Sequence, residues 1–275
     1  MASLQDLKPF TARVEDTLDK VGAPLKPYLP AIARFLLVVT FIEDSLRIFT
    51  QWDDQVWFLE QHRGFRSGFS QFFLALNIVL MMTCSTMAIL RKRTDLAVGG
   101  LFIDIILQSV GYGLLFDMSF FVRALSMVGG LLMLLAEAYA KSRRSFFPGL
   151  PDISETDRST YLQLGGRVLL VFLFFSLLIG GEFTVLRLVF SLLGAVACVM
   201  VMVGFKAKWS ALFLVMFLSI FNVIINNWWS LHHTHPQRDY VKYDFFQTLS
   251  IMGGFLLLVN LGPGGISVDE KKKAY

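Results

Sequence analysis

The chain has 275 residues, 55% of them hydrophobic, 14% aromatic and only 17% charged, with 27 phenylalanines and a formal net charge of +4. A soluble domain carries about 25% charged residues, and with a mean hydropathy of +0.60 the composition excludes a disordered chain, a disulfide-stapled secreted domain and a nucleic-acid-binding module. It calls for a lipid environment, where a small positive charge records which loops face the cytosol.

Residues 1–30 precede the first long apolar run. Leu7, Phe10, Val14, Leu18 and Val21 recur at three-to-four spacing among Lys8, Arg13, Glu15, Asp16, Asp19 and Lys20, which predicts an amphipathic helix on the cytosolic leaflet. A helix packed under the bundle would show the same pattern. No basic stretch followed by a short apolar core marks a cleaved signal, so the first span is expected to act as its own membrane signal.

A spanning helix needs about 20 mostly apolar residues. Eight segments qualify, at about 31–49, 69–90, 96–116, 120–140, 165–181, 184–205, 209–229 and 245–261. The expected fold class is therefore all-α, a polytopic membrane helix bundle. The fifth and eighth segments are short, and fusion across Gly180-Gly181 would leave seven spans.

Charges inside spans are expensive and each needs a reason. Glu43 and Asp44 lie in the first span with Arg47 one turn onward, where they can pair along one face. The expected loop at 50–68 carries Asp53, Asp54 and Glu60. Asp104 sits near the middle of the third span, with Gln108 and Tyr112 extending a polar stripe. Arg34, Glu137 and Arg167 stand at span ends, where snorkelling or pairing between helices is expected. The connection at 141–164 is basic and contains Phe146-Phe147, which reads as a diaromatic export signal or an interfacial anchor.

The second half repeats the first. Arg34-Phe-Leu-Leu-Val-Val returns as Arg167-Val-Leu-Leu-Val-Phe, and Leu125-Ser-Met-Val-Gly-Gly returns as Leu249-Ser-Ile-Met-Gly-Gly. Four-helix repeats at 31–140 and 165–261 would form a parallel duplication that keeps both halves in one orientation. Toward the end lie Asn222, Asn226, Asn227, the pair Trp228-Trp229, and His232, His233 and His235. The Trp pair reads as an interfacial belt, and the histidines as solvated side chains rather than metal ligands. With His62 they all fall on the lumenal side, which would suit a mild pH sensor.

The tail at 262–275 begins with Gly262-Pro263-Gly264-Gly265 and ends in Lys271-Lys272-Lys273-Ala274-Tyr275. Lys272 and Lys273, fourth and third from the carboxyl terminus, match the dilysine address by which coat machinery returns membrane proteins to the endoplasmic reticulum. A lipid-attracted basic cluster is the plainer reading. Ten extended residues would carry the signal about 33 Å from the bilayer. Of the 25 basic residues, 18 fall on the face of both termini and 7 on the other, so both termini are expected in the cytosol.

Cys84 and Cys198, the only cysteines, lie in apolar runs and offer neither a disulfide framework nor a metal knuckle. No nucleophile elbow, phosphate loop or dinucleotide fingerprint occurs. The expectation is a protein that is not an enzyme, with no cofactor and no metal.

Several long runs carry a resemblance: Thr40-Phe-Ile-Glu-Asp with Arg47 and Gln51-Trp52, Gln163-Leu-Gly-Gly-Arg-Val-Leu-Leu, Gly204-Phe-Lys-Ala-Lys, Lys242-Tyr-Asp-Phe-Phe-Gln-Thr, and Leu261-Gly-Pro-Gly-Gly through Asp269-Glu-Lys-Lys-Lys. On these the chain resembles the surfeit locus protein 4 family of endoplasmic reticulum cargo receptors, over nearly its whole length apart from about 1–28 and 53–70. The resemblance implies a receptor that loads soluble secretory cargo into vesicles carrying the COPII coat, cycles through the Golgi and is retrieved by the COPI coat. It further implies recognition of the new amino terminus of cargo. That chemistry asks for a carboxylate to meet an ammonium group beside an apolar cleft, and Glu43, Asp44 and Asp104 are the candidates, with Asp53, Asp54 and Glu60 at the mouth. Membrane lipids and a second copy of the chain are further expected partners. A transporter or lipid scramblase built on the same bundle is the alternative.

Overall fold

The computed structural model describes residues 27–145, 159–171, 185–232, 235, 237–262 and 264–268, and among them there is no strand. The helices are α1 (Leu29–Thr50), α2 (Trp52–Arg63), α3 (Ser67–Leu90), α4 (Thr94–Gly111), α5 (Met118–Ser145), α6 (residues 159–171), α7 (Val185–Val203), α8 (Ala207–Ile225) and α9 (Arg238–Leu261), with short 3₁₀ turns at Leu114–Phe116 and Trp228–Ser230. Pro30 opens α1 in its first turn, where its missing N–H costs nothing. The amphipathic segment expected before residue 27, Phe146-Phe147, and the 172–184 stretch that decides between seven and eight spans lie outside the described residues.

Among the described residues, five helical stretches are long and apolar enough to cross a membrane by themselves: Ser67–Leu90, Thr94–Gly111, Phe120–Ala140, Ala207–Ser230 and Arg238–Leu261. The expected spans at about 31–49, 165–181 and 184–205 are not among them. The α1 helix has the length, 22 residues, but carries Arg34, Glu43, Asp44 and Arg47, so its stability in the bilayer depends on the partners it meets. The 165–181 segment runs past the described residues, and in α7 the side chains described are those of Leu192–Val203. Two loop expectations are also corrected. The loop at 50–68 contains α2, ended by Gly64 in the left-handed region at φ 68°. The last helix begins at Arg238 rather than near 245, so Lys242, Tyr243 and Asp244 are helical and face the bundle.

The most extensively packed pair is α1 with α9. Thr40 Oγ1 reaches Ser250 Oγ at 2.6 Å and donates to the Phe246 carbonyl at 2.8 Å. Glycines bring the backbones close. A Cβ on Gly253 would stand 2.4 Å from the Leu37 nitrogen and 2.6 Å from the Ala33 oxygen. One on Gly129 would stand 2.7 Å from the Leu170 nitrogen and 2.9 Å from the Gly166 oxygen. These partners are the same positions of the two sequence repeats. The turns match too: Arg91 (φ 59°) and Arg93 (φ 48°) between α3 and α4 correspond to Gly204 (φ 73°) and Lys206 (φ 45°) between α7 and α8. Lys92 N donates to Met87 O and Phe205 N to Met200 O, both at 3.0 Å.

Counting from these turns, Asp104 and Gln108 of α4 correspond to Phe217 and Phe221 of α8. Those two rings continue a stack from Phe213, with centroids 6.3 and 5.2 Å apart. The geometry of the halves corresponds while their polarity does not, and Glu43, Asp44 and Asp104 all belong to the first half.

Candidate functional site

Four helices converge near the end of the bundle that carries α2. The α1 helix contributes Thr40, Phe41, Glu43, Asp44 and Arg47, α4 contributes Asp104, Ile105, Gln108 and Tyr112, α5 contributes Phe120, Arg123, Ala124 and Met127, and α9 contributes Lys242, Tyr243 and Asp244. A small cavity of about 20 Å³, room for about one water molecule, lies among them, lined by Thr40, Phe41, Asp44, Ile105, Gln108, Phe120, Ala124, Met127 and Tyr243. Its wall is apolar and aromatic, with the Asp44 carboxylate and the Gln108 amide as polar anchors.

The carboxylates are served unequally. Arg47 pairs with Asp44 Oδ1 one turn along α1, and Gln108 Nε2 donates to Asp44 Oδ2 at 2.6 Å. Glu43 is 5% exposed and meets Lys242 Nζ at 3.0 Å, an ionic contact without the direction of a good hydrogen bond. Arg123 of α5 pairs with Asp244 of α9. Asp104 is fully buried, and neither of its oxygens has a hydrogen-bond partner among the described residues. It lies one turn below Gln108 on the same face of α4, within the field of Asp44 and beside Cys84 of α3.

At the start of α9, cationic side chains lie over an aromatic ring of the preceding turn. Lys242 Nζ lies 5.7 Å and the Arg238 guanidinium carbon 5.3 Å from the centre of the Trp228 ring, within cation–π range. Gln51 Nε2 donates to Asp239 at 3.0 Å, tying the end of α1 to the start of α9. Tyr112 donates to Gln55 Oε1 at 2.8 Å, and Arg63 Nε to the Gly111 carbonyl at 3.0 Å, which fixes α2 across the end of α4.

Of the six acids singled out from the sequence, Glu43, Asp44 and Asp104 are thus brought together. Asp53, Asp54 and Glu60 are not. They belong to α2, where exposed Asp53 and Asp54 occupy the first turn and complement the helix dipole, and Glu60 accepts from Ser70 Oγ at 2.8 Å. Sequence reasoning missed the partners: Lys242 lies 199 positions from Glu43, and only the matching scarcity of opposite charge in the last helix could have signalled it. Among the described residues, no histidine lines the cavity. His62 stacks on Phe58 at 5.0 Å, and among the described residues no group of three possible metal ligands occurs.

At the opposite end, Glu137 joins Arg91 at 2.8 Å and Arg34 at 3.8 Å. Arg167 Nη2 donates to the Ile266 carbonyl at 2.7 Å, and buried Ser267 packs beside Gly204. The segment after α9 is therefore folded onto the bundle rather than extended from residue 262. Measured from Ile266, Lys272 can reach about 20 Å instead of about 33 Å.

Comparison with known proteins places this architecture. The SURF4 family model matches residues 8–275. A surfeit locus protein 4 homolog of Schizosaccharomyces pombe is 46% identical over 92% of this chain and 84% of its own length. The Drosophila melanogaster homolog is 40% identical over 97% and 98%. The ER-derived vesicles protein ERV29 of Saccharomyces cerevisiae is 37% identical over 97% and 84%. No solved structure matches the chain.

Proposed function

The chain belongs to the SURF4 family, and on that premise we propose that it is a cargo receptor cycling between endoplasmic reticulum and Golgi. It binds soluble secretory proteins in the lumen, packs them into endoplasmic-reticulum-derived vesicles through the COPII coat, and returns through COPI recognition of Lys272 and Lys273. A relative named for ER-derived vesicles and the apolar helices support residence in early secretory membranes.

The observation that carries the binding site is the cavity beside Asp44, apolar and aromatic on most sides and backed by Glu43 and Asp104. An amino-terminal segment of cargo supplies what such a cavity lacks: an ammonium group for the carboxylates and apolar side chains for Phe41, Phe120 and Met127. Entry requires the Arg123–Asp244 and Glu43–Lys242 ties between helices to give, because the cavity as it stands holds little more than one water molecule. Asp53 and Asp54, exposed on α2, supply negative potential that draws a cationic terminus to the mouth.

The test is secretion in cells whose own copy is replaced. Glu43→Gln, Asp44→Asn and Asp104→Asn together should retain dependent cargo in the endoplasmic reticulum while leaving the receptor's abundance and location intact. Unchanged secretion of all cargo removes the site. Serine at positions 272 and 273 should shift the receptor to the Golgi, and continued residence in the endoplasmic reticulum removes the retrieval step.

The buried, unpartnered Asp104 also favours a second reading, a transporter or lipid scramblase, since such acids commonly mark pathways through membranes. Protein-dependent lipid or solute movement in liposomes, abolished by Asp104→Asn, would favour that reading.

A further inference from the structure

We infer that Asp104 is a proton-binding site, occupied when the cavity is empty, and that the ammonium group of a bound ligand displaces this proton. The inference rests on the cargo reading for the identity of the ligand, but its first half stands on the resting chain alone.

Four acids occupy the region, Glu43, Asp44, Asp104 and Asp244, against three cations, Arg47, Lys242 and Arg123, while Arg238 and Asp239 at the start of α9 offset each other. Each cation is committed to one acid: Arg47 to Asp44, Lys242 to Glu43 and Arg123 to Asp244. Asp104 is the acid left over, and it is fully buried with two unpartnered oxygens. An ionised carboxylate cannot persist unpaired in an apolar interior, where desolvation far exceeds any gain from distant charges.

The neighbours do not relieve it. On α1, Asp44 repels it and Glu43 adds negative charge, while Arg47 is held by Asp44. On α3, Cys84 is a neutral thiol and Met81 is apolar, and the nearby buried polar groups Asn77 and Ser85 carry no charge. On α4 itself, Gln108 is engaged by Asp44 and Tyr112 by Gln55. On α5, Arg123 is paired with Asp244, and on α9, Lys242 is paired with Glu43 and Tyr243 is neutral. One positive charge is missing from the site, and a proton is the smallest cation that supplies it.

A ligand ammonium entering beside Asp44 brings the same charge. The balanced exchange is an ammonium from the lumen plus the neutral Asp104 carboxylic acid giving an ammonium–carboxylate pair plus one proton released to lumenal water. Total charge in the site is unchanged, so the ligand does not have to bring a net charge into the bilayer. The sign follows directly. Ligand and proton compete, so lowering pH weakens binding, by up to about tenfold per unit for one exchanged proton. A peptide amino group, with an ordinary pKa of about 7.7–8.0, stays charged over the acidic range and does not itself cause the loss. Binding in the neutral endoplasmic reticulum and release in a more acidic Golgi would follow, without the lumenal histidines.

Two measurements on the purified full chain in lipid nanodiscs test this. Infrared spectra at neutral pH should contain a protonated carboxylic-acid carbonyl band that Asp104→Asn removes, that Asp104→Glu shifts, and that Asp53→Asn and Asp54→Asn, on the exposed turn of α2, leave in place. Absence of such a band, or its survival in Asp104→Asn when Asp104→Glu does not move it, overturns the proton site. Calorimetry in buffers of different ionisation enthalpy then follows binding of a synthetic peptide. The probe is the first eight residues of a mature soluble cargo whose secretion fails in cells lacking the chain. About one proton released per peptide, with affinity falling as pH drops from 7 to 6, is expected. Tight binding with no proton released and no pH dependence overturns the exchange. Equal binding of the amino-acetylated peptide removes the amino-terminal reading instead, while the infrared result still decides the proton site.

Discussion

Glu137 shows how single side chains hold this bundle at its basic end. It is 2% exposed and meets both Arg91, itself 42% exposed at the side chain, and Arg34, which is nearly as buried as Glu137. The three groups close the ends of α1, α3 and α5 with one acid and two cations. Neutralising the acid leaves Arg34 inside the bundle without its carboxylate, although its Nε keeps the Pro30 carbonyl at 2.8 Å, while Arg91 can turn to water. Loss of one partner from a buried pair costs about 3–5 kcal/mol, and Arg91's freedom puts Glu137→Gln at about 3 kcal/mol. A thermal melt of detergent-purified Glu137→Gln should show a clear fall, with Arg91→Gln much milder. Equal melting of wild type and Glu137→Gln would remove the pair from the fold's stability. The same contrast between committed and uncommitted charge made Glu43, Asp44 and Asp104 visible in the sequence, because an acid in an apolar run has few ordinary explanations. The Lys242 partner of Glu43 was invisible there, since only the packing of α9 against α1 brings the two together.

At the scale of elements, close approach rather than hydropathy decides which helices pair. Gly253 of α9 lies against the α1 backbone, where a Cβ would meet backbone atoms at 2.4 and 2.6 Å, whereas a Cβ on Gly99 of α4 would meet nothing within 4 Å. Gly253→Ala must push α1 and α9 apart and strain the Thr40–Ser250 bond one turn away, for a loss of about 1–3 kcal/mol typical of overpacking. Gly99→Ala should be neutral or gain up to about 1 kcal/mol from helix propensity. Melting temperatures of the two variants check this, and a destabilised Gly99→Ala with a silent Gly253→Ala would contradict the packing. The apolar helices were legible because about 20 apolar residues have few alternatives to spanning. Two elements were not. The α2 helix has a mixed polar surface with Leu59 alone fully buried, and the first two turns of α9, Arg238 to Asp244, look like loop because their charges are satisfied by other helices. The sequence repeats were legible, and the matched glycine contacts and turns accord with the proposed duplication. Where α4 carries Asp104 and Gln108, the positions of α8 at the same distance from the turn carry Phe217 and Phe221.

For the whole molecule, everything proposed depends on which end faces the cytosol. The turns at Arg91–Arg93 and Lys206, the Arg34–Glu137 pair and the folded segment ending at Val268 share one end, while α2 and the Trp228–Ser230 turn share the other. In the expected span order 18 of the 25 basic residues fall on the side of the first end, and cytosolic loops carry such an excess. The two native cysteines permit a direct test, because Cys84 is 7% and Cys198 2% exposed and neither offers a thiol to a water-borne reagent. Single cysteines at exposed Lys92 and Asp54 then report the two ends against a quiet background. In sealed microsomes with the cytosolic face outward, Lys92→Cys should react with a membrane-impermeant maleimide at once, and Asp54→Cys only after detergent opens the vesicles. The reverse pattern would put Lys272 and Lys273 in the lumen, where no coat can reach them, and would turn the Asp44 cavity toward the cytosol, where no secretory cargo travels. Retrieval signal and cargo site therefore stand or fall on one orientation. The Arg167 clamp on Ile266 tightens that link, since it fixes the root of the tail to the same bundle that carries the cavity and leaves the terminal lysines about 20 Å of reach.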